Sequence, residues 1–305
     1  MRTCTRPIEI VEVSARDGLQ NKTVVFTTAQ KIALIGRAAP PGARRIEVAS
    51  FVRADRVPQM ADAEAVLDGL TPSRDVTTIG RVMNERGARR ALATRVDELG
   101  AVTVAIDAFP HANQGQTSRQ SAQVAADVIH WATGEGRRAQ ATIRAAFGCP
   151  PEGEVDPAHV VALAETTAAA GGVEVALTET IGVAVSDQVA ELVGRSRDLP
   201  IRVHLHNTRG TGVANAWAAI DACAATLDAA FGGIGGCPFA PAATGNIATE
   251  ELLYMLDRSG IATGCDLDRT IATACWPGEE KGPTLPGLVA RAGKFPQPHA
   301  HAHAA

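Results

Sequence analysis

Short apolar runs alternate eight times with longer amphipathic stretches, and this alternation constrains the fold more than any other feature. The predicted strands cover residues 8–14, 45–48, 76–79, 102–107, 141–146, 173–178, 201–206 and 227–231. The predicted helices cover residues 28–38, 61–70, 85–99, 118–133, 157–170, 186–195, 212–225 and 249–259. A helix follows every strand, which indicates an α/β protein built around a parallel sheet.

Eight strand–helix units favour a (β/α)8 TIM barrel, in which the helices surround a closed sheet. A doubly wound open sheet is the alternative, but no glycine-rich dinucleotide-binding fingerprint follows the first strand. We therefore expect a catalytic barrel over residues 1–263. We expect a short C-terminal extension over 264–294 that packs on the barrel, and a disordered His/Ala tail over 295–305.

The composition argues against several classes of partner. Of the 305 residues, 46% are hydrophobic, which is enough for a large core. A net charge of −4 and an aromatic content of 4% disfavour binding to nucleic acid or to an anionic membrane. No signal-peptide pattern or membrane-length apolar run is present, and the six cysteines are dispersed without a C-x-x-C pair. We expect a soluble, cytoplasmic protein with reduced thiols.

Two histidines in the stretch VHLHN raise the question of function. His204 and His206 are two residues apart, so on a strand they project from the same face. They either bind a metal ion together or are two strand-end histidines that share a face. TIM-barrel active sites form at the C-terminal ends of the strands. The other polar residues predicted at such ends, or in the loops that follow them, are Arg16, Asp17, Glu47, Glu179, Cys237 and Asn246.

Four of these side chains form a candidate metal site. Asp17, His204, His206 and Asn246 combine one carboxylate, two imidazoles and one amide oxygen. Such a mixed set with open positions suits octahedral Mg²⁺ or Mn²⁺ better than a closed tetrahedral zinc site. The alternatives are structural: Asp17 caps a loop, and Asn246 caps the helix that follows it.

Several motifs resemble one family closely. EVSARDGLQN, IEVASFVRADRVPQMAD, FGCPPEG, ETIGVA and, above all, GGIGGCPFAPAATGNIATEELLYML are similar to the 3-hydroxy-3-methylglutaryl-CoA (HMG-CoA) lyases of the DRE-TIM metallolyase superfamily. The similarity covers about residues 8–271. It implies the same barrel, the same four metal ligands and retro-Claisen cleavage of an acyl-CoA to acetyl-CoA and a 3-oxo acid. The related 2-isopropylmalate and homocitrate synthases share the H-x-H motif but lack the cysteine loop.

The resemblance also implies catalytic roles. Arg16 stabilises the thioester enolate oxygen, and Cys237 protonates the enolate carbon, although a buried structural thiol is the other interpretation of this cysteine. His204 doubles as the proton acceptor for the substrate hydroxyl. Glu47 orients Arg16 through an ion pair.

Departures from the lyase pattern fall on loops expected to face the substrate. The segments HNTRG, TETIG and VMNERG differ from the usual motifs and leave the exact acyl-CoA open. We expect substrate contacts from Gln20, Asn84, Glu179 and Arg209. Glu179 could instead hold a metal-bound water, and Arg209 could be a solvated loop charge. We expect the protein to self-associate, most simply as a dimer.

Two other functions stay open on the sequence alone. One is an aldolase or Claisen-type synthase that acts on a 2-oxo acid or another acyl-CoA with the same metal barrel. The other is a non-catalytic protein that binds acyl-CoA or a partner. The cysteine loop disfavours the first, and the full set of metal ligands together with Arg16 disfavours the second.

Overall fold

The chain folds into a closed barrel of eight parallel strands. A computed structural model describes residues 6–107, 115–150, 152–236, 245–281 and 285–296. The strands follow one another around the barrel in chain order, and β1 closes it by pairing with both β2 and β8. The prediction of a TIM barrel is therefore confirmed, and the open sheet is excluded.

All eight predicted strands are present, and helices lie between them. The strands are β1 (Glu9–Glu12), β2 (Arg45–Ser50), β3 (Thr77–Val82), β4 (Glu98–Val104), β5 (Arg138–Arg144), β6 (Val175–Thr178), β7 (Ile201–His204) and β8 (Thr226–Ala229). The helices are α1 (Thr28–Ala38), α2 (Ala63–Gly69), α3 (Glu85–Leu92), α4 (Ser118–Gly134), α5 (Pro157–Ala168), α6 (Ser186–Arg195), α7 (Gly212–Asp221), α8 (Thr249–Arg258), α9 (Leu267–Lys281) and α10 (Val289–Ala292). A π-helical turn (Ser14–Gly18) and two 3-10 turns (Pro58–Met60 and Phe231–Gly233) complete the described elements.

Two helix starts show how local sequence sets the element boundaries. Thr27 and Thr117 form capping boxes at the N-termini of α1 and α4, each with a glutamine three residues later. In each box the threonine hydroxyl accepts from the third backbone N–H of the helix, and the glutamine accepts from the N–H of the threonine. These bonds satisfy amides that a helix start otherwise leaves unpaired.

Paired charges occupy the middle of the barrel. Arg45 on β2 lies 2.5 Å from Glu98 on β4 and 2.5 Å from Glu174, which immediately precedes β6. Glu174 also faces Arg202 on β7 at 3.5 Å, and Arg202 donates to Asp228 on β8 at 2.9 Å. All five side chains are buried. This ion network links four strands and ends directly beside the predicted metal ligands.

The predicted helix over residues 85–99 is wrong over residues 93–99. Helix α3 ends at Leu92, and Glu98 begins β4. The charged stretch RVDEL reads as the polar face of a helix, but the Glu98 carboxylate points at Arg45 inside the barrel. Burial of a charge beside its partner overrides the local pattern here.

Two strand ends also differ from the prediction. Strand β1 stops at Glu12, and the π-helical turn that follows carries Arg16 and Asp17. Strand β7 stops at His204, and His206 lies two residues further on in an isolated bridge with Asn246. The residues predicted at strand ends are thus held by the first turns of the following loops.

The segment after α8 runs along the outside of the barrel. The Asp266 amide donates to the Pro41 carbonyl at 2.7 Å, and Arg37 on α1 stacks over the Trp276 ring at 4.5 Å. The domain boundaries proposed from the sequence stay predictions, and residues 297–305 of the tail lie outside the described residues. Within the described residues, no helix is both long and apolar enough to cross a membrane.

Candidate active site

The C-terminal ends of the strands surround a cavity that is open to solvent. Most of its lining is polar, and every one of the eight strands or the loops that follow them contributes to it. The lining residues are Arg16, Asp17, Gln20, Asn21, Ser50, Arg81, Met83, Val102, Arg144, Thr178, Thr180, His204, His206 and Gly236. The cavity is therefore at the end of the barrel where the sequence places the active site.

Three of the four predicted metal ligands form a compact group. Asp17, His204 and His206 each offer one ligand atom, and these atoms lie within 4.8 Å of one another. The Nε2 atom of His204 is 3.9 Å from Oδ2 of Asp17. The two imidazole rings stand edge to face, with centroids 5.0 Å apart. This group can hold a metal ion between a carboxylate and two imidazoles.

Hydrogen bonds at Nδ1 direct both rings into the cavity. His204 Nδ1 donates to Oδ2 of Asp228 at 2.8 Å, and His206 Nδ1 donates to the Glu179 carbonyl oxygen at 2.6 Å. With Nδ1 as the donor, Nε2 of each neutral ring keeps its lone pair for a ligand bond. A carboxylate or carbonyl behind a ligating histidine is the usual support of protein metal sites.

Asn246 supplies a fourth donor to the same group. Its Nδ2 donates to Oδ2 of Asp17 at 3.1 Å and to the Ile234 carbonyl at 2.9 Å. Its Oδ1 is buried and has no hydrogen-bond partner. A buried acceptor without a partner is costly, and an ion beside Asp17 would satisfy it. The alternative of a helix cap is wrong, because the N-cap of α8 is Ala248.

A close backbone approach fixes the position of Asn246. Gly235 has φ +149°, and a Cβ at this residue would lie 2.6 Å from Nδ2 of Asn246. No side chain fits there without displacing the asparagine, so the glycine is required by both conformation and space. The carboxylate, the two imidazoles and the amide oxygen together fit a divalent cation.

Arg16 lies between the buried carboxylate of Glu47 and the partly buried carboxylate of Asp17. Its Nε donates to Oε2 of Glu47 at 2.6 Å, and its Nη1 donates to Oδ1 of Asp17 at 2.6 Å. Glu47 also accepts from Nε of Arg81 at 2.9 Å. The predicted ion pair between Glu47 and Arg16 is present. It leaves the Arg16 guanidinium beside the ligand group with little freedom to move.

The charges in the cavity shift several pKa values. Burial alone would raise the pKa of Asp17, but Arg16 and the two histidines hold it well below its ordinary range. Burial, and then His204, lower the pKa of His206. Burial and repulsion from Arg16 lower the pKa of Arg81 to about 10. An ionised carboxylate beside a neutral imidazole is the state that binds a cation.

The four predicted substrate contacts divide into two groups. Gln20 lines the cavity, and its Oε1 is buried without a partner. Glu179 folds back on its own loop and accepts from the amides of Ile181, Gly182 and Val183 at 3.1, 2.6 and 2.9 Å. Glu179 therefore shapes the loop after β6, and its main-chain carbonyl supports His206.

Asn84 and Arg209 are not among the described residues that line the cavity. Asn84 is the N-cap of α3 and accepts from the Gly87 amide at 3.0 Å. Arg209 is exposed and donates to the carbonyls of Ile181 and Gly182 at 3.2 and 2.7 Å. Both polar side chains thus satisfy backbone groups.

Cys237 lies outside the described residues, but the chain leading to it is defined. Gly236 lines the cavity, and its carbonyl accepts from Nδ2 of Asn21 at 2.9 Å. The loop that carries the cysteine therefore starts at the cavity.

Sequence reasoning missed several residues of the site, and four of them are polar side chains that support or line it. Asp228 supports His204, Arg81 shares Glu47 with Arg16, and Arg144 and Thr178 line the cavity. Asp228 and Arg81 each lie within an otherwise uncharged strand segment, TLDAA and TTIGRV. A charged residue in a buried strand was the available signal, because such a side chain needs a partner inside the barrel.

A TIM barrel with this ligand group at its C-terminal mouth has the architecture of an enzyme, and comparisons identify its family. The HMGL-like family matches residues 7–275. An (R)-citramalyl-CoA lyase from Chloroflexus aurantiacus is 39% identical over 305 residues, covering 95% of this chain and 96% of that protein. A cytoplasmic HMG-CoA lyase from Danio rerio is 38% identical over 264 residues, covering 85% of this chain and 79% of that protein.

A solved structure agrees over the whole barrel. An HMG-CoA lyase from Acinetobacter baumannii, in complex with coenzyme A and 3-methylmalate, has a TM-score of 0.91 and 35% identity. The match covers 98% of this chain and 99% of that chain. The chain described here belongs to the HMGL-like family and is a carbon–carbon lyase.

Proposed function

We propose that this protein is a metal-dependent lyase that cleaves HMG-CoA or a closely related 3-hydroxy-3-carboxyalkyl-CoA. The products are acetyl-CoA and an oxo acid, a 3-oxo acid in the case of HMG-CoA and pyruvate in the case of citramalyl-CoA. One observation carries the proposal. Asp17, His204 and His206 form a compact group in a cavity that also contains Arg16, and the side chain of Asn246, whose Oδ1 has no partner, donates from Nδ2 to Asp17.

The chemistry of the carbon–carbon cleavage defines the tasks of the active-site residues. The C3 hydroxyl loses its proton, the C2–C3 bond breaks, and C3 becomes a carbonyl. The bonding electrons stay on the acetyl-CoA fragment as an enolate, which then takes up one proton at carbon. Bound by Asp17, His204, His206 and Asn246, Mg²⁺ or Mn²⁺ would lower the pKa of the substrate hydroxyl and orient it.

The protein supplies three further functions. Arg16, fixed by Glu47, offers a permanent positive charge to the enolate oxygen, and one such preorganised donor contributes a few kcal/mol. His204 is the candidate acceptor of the hydroxyl proton; because its Nδ1 is bonded to Asp228, the proton would go to Nε2, which has to leave the metal to accept it. Cys237, on the loop that starts at the cavity, is the candidate acid that protonates the enolate carbon.

Only one of the four substrate contacts predicted from the sequence stays in our proposal as a direct contact. Gln20 remains a candidate for direct contact with the substrate, because it lines the cavity and its Oε1 has no hydrogen-bond partner. Glu179 and Arg209 act on the loops around the cavity through backbone hydrogen bonds. Asn84 caps the N-terminus of α3 by accepting from the Gly87 amide.

Acetyl-CoA release tests the proposal. The purified protein is incubated with HMG-CoA and, separately, with citramalyl-CoA, each with Mg²⁺, with Mn²⁺ and with a chelator. We expect release from at least one substrate, loss of release with the chelator, and recovery when metal is restored. The variant Cys237→Ala is expected to lose at least 100-fold in kcat, whereas Cys265→Ala in the C-terminal extension keeps its rate. Metal binding without release from either acyl-CoA would contradict the proposal.

We further propose that the enzyme acts in the cytoplasm as a homo-oligomer, most simply a dimer. Its dispersed cysteines support a reducing compartment. Light scattering on the purified protein measures the assembly directly, and a mass equal to one chain would contradict a dimer.

A further inference from the structure

We propose that Glu250 is a positioning residue for the metal ligand Asn246. It acts through the turn Phe231–Gly233 and the carbonyl of Ile234, and its effect is to keep the amide oxygen of Asn246 available to the cation. The inference rests on the metal site of the proposed function. It assigns a role to a buried acid that is not among the described residues lining the cavity.

Two acceptors orient the side chain of Asn246. Its Nδ2 donates to the Ile234 carbonyl at 2.9 Å and to Oδ2 of Asp17 at 3.1 Å. Because a carbonyl and an ionised carboxylate can only accept, the NH2 group must face them, and Oδ1 is left for another partner. Rotation of the amide by 180° would put the NH2 group in place of that oxygen, and an NH2 group does not bind a cation. The orientation of Asn246 therefore depends on where the Ile234 carbonyl lies.

The position of the Ile234 carbonyl depends on the turn that precedes it. Gly232 and Gly233 have φ +65° and +67°, in the left-handed region that favours glycine. Backbone in this conformation continues neither a strand nor a helix, so its buried amides need acceptors from elsewhere. The amide of Gly232, the middle residue of the turn, donates to Oε2 of Glu250 at 3.0 Å. Loss of this acceptor would leave a buried N–H unpaired, and the turn would have to shift.

The C-terminal segment holds Glu250 against the turn. Glu250 is the second residue of α8 and is fully buried. Gly287 lies against its other oxygen, since a Cβ at Gly287 would be 2.2 Å from Oε1. The Gly287 amide also donates to the Gly232 carbonyl at 3.0 Å. Glu250 and the C-terminal segment thus fix Gly232 at both its amide and its carbonyl.

The burial of Glu250 lowers stability without an evident structural gain. Its Oε1 is buried and has no hydrogen-bond partner. An acid with an unsatisfied oxygen in the interior costs free energy, and such costs are typical of residues that serve a functional site. The site that Glu250 reaches through the turn is the metal ligand Asn246.

Titration with Mn²⁺, followed by electron paramagnetic resonance, tests this role without substrate. Glu250→Met removes the acceptor of the Gly232 amide and should raise the Kd for Mn²⁺ about 10-fold. Glu250→Gln keeps an oxygen that can accept from this amide, so its Kd should stay within about threefold of the unmodified protein. The titration also gives the number of sites per chain, which a positioning role leaves unchanged. A partly unfolded sample would instead show fewer sites with an unchanged Kd.

Two glycine variants test the same contact from the C-terminal segment. Gly287→Ala places a Cβ 2.2 Å from Oε1 of Glu250 and should displace the carboxylate, so we expect Mn²⁺ to bind at least about threefold more weakly. Gly36→Ala on α1 is the matched control, because a Cβ there has no neighbouring atom within 4 Å. Its Kd should equal that of the unmodified protein.

The outcomes separate this role from the proposed function. Weaker binding in Glu250→Met with rescue in Glu250→Gln supports the positioning role even if no acyl-CoA is cleaved, a result that would overturn only the proposed function. An unchanged Kd in Glu250→Met, with or without a loss of sites, or equal losses in Glu250→Met and Glu250→Gln, would overturn the positioning role. If Glu250→Met does not fold, Gly287→Ala decides by the same criterion. An unmodified protein that binds no Mn²⁺ would overturn the metal site and both proposals.

Discussion

At the scale of single residues, the site depends on hydrogen bonds that the sequence does not display. The residue types Asp17, His204, His206 and Asn246 sufficed to predict a four-donor group, because strand ends of a barrel converge wherever they lie in the chain. The supporting partners were not predictable in the same way. The bond from His204 to Asp228 joins neighbouring strands at a level that only register determines.

The same limit applies to three residues that the sequence predicts as substrate contacts. Glu179, Asn84 and Arg209 are polar residues in loops at the active-site end, which is also the pattern of a substrate contact. Their partners are backbone amides and carbonyls that the fold leaves unpaired. A sequence does not show which backbone groups lack partners, so these roles required the structure.

Asp228→Asn is expected to weaken metal binding 10- to 100-fold. An amide at this position can no longer accept a charge-assisted hydrogen bond from Nδ1 of His204. When its NH2 group faces the ring, it donates to Nδ1 and selects the tautomer that carries its proton on Nε2, the ligand atom. Titration with Mn²⁺, followed by electron paramagnetic resonance, measures the free and bound metal without substrate. The control Asp257→Asn on the outer helix α8 should match the unmodified protein. Equal Mn²⁺ affinity in Asp228→Asn would show that Asp228 does not position His204.

At the scale of elements, the sequence predicted the number, order and type of the strands, and the errors occur where a buried charge or a short turn is involved. Phe231, the last residue of the predicted eighth strand, instead begins the 3-10 turn Phe231–Gly233, which leads into the cysteine loop. Two buried glutamates hold it. Glu12 accepts from the Phe231 amide at 3.3 Å, and Glu250 accepts from the Gly232 amide at 3.0 Å. Both acids are remote in sequence from this turn.

Burial of Glu250 predicts a pH dependence of stability. Burial raises the pKa of Glu250 from its ordinary 4.5 to about 7, so between these values the folded state holds a proton that the unfolded chain has lost. Its contribution to the free energy of unfolding is therefore fully present below pH 4.5 and is lost as the pH rises through 7. Glu250→Gln should remove about 2 kcal/mol of this decline.

Urea unfolding at pH 5, 6, 7 and 8 measures this effect. The unmodified protein should lose stability across the series, and Glu250→Gln should lose less. Glu12 keeps part of the slope in the variant, since burial raises its pKa to about 7 as well. Glu165→Gln on the exposed face of α5 serves as the control. A slope that Glu250→Gln leaves unchanged would contradict the raised pKa.

At the scale of the whole molecule, the barrel encloses charges where hydrocarbon layers are usual. TIM-barrel interiors are dominated by valine, isoleucine and leucine. Here Arg45, Glu98, Glu174, Arg202 and Asp228 are paired across the lumen. The sequence predicted the barrel because helix and strand periodicity are local properties. It did not predict this interior, because inward-facing arginines and glutamates resemble exposed residues until their partners are known.

Glu98→Met tests the contribution of the network to folding. The substitution leaves the buried Arg45 guanidinium without one of its carboxylates, and breaking a buried pair in this way costs about 3 kcal/mol. Urea unfolding measures the loss. The double variant Arg45→Met with Glu98→Met should recover part of it, because the uncompensated charge is gone. A single variant as stable as the unmodified protein would show that the remaining carboxylates suffice.

The network also connects the two faces of the barrel. Glu9, whose side chain is 41% exposed, pairs with Arg45, and Glu174, Arg202 and Asp228 continue the line to His204. Each side chain in this line determines where the next one is held. Damage at the solvent face opposite the cavity can therefore reach a metal ligand without altering any residue near the substrate. Along this line, we expect a substitution remote from the cavity to lower catalysis as well as stability.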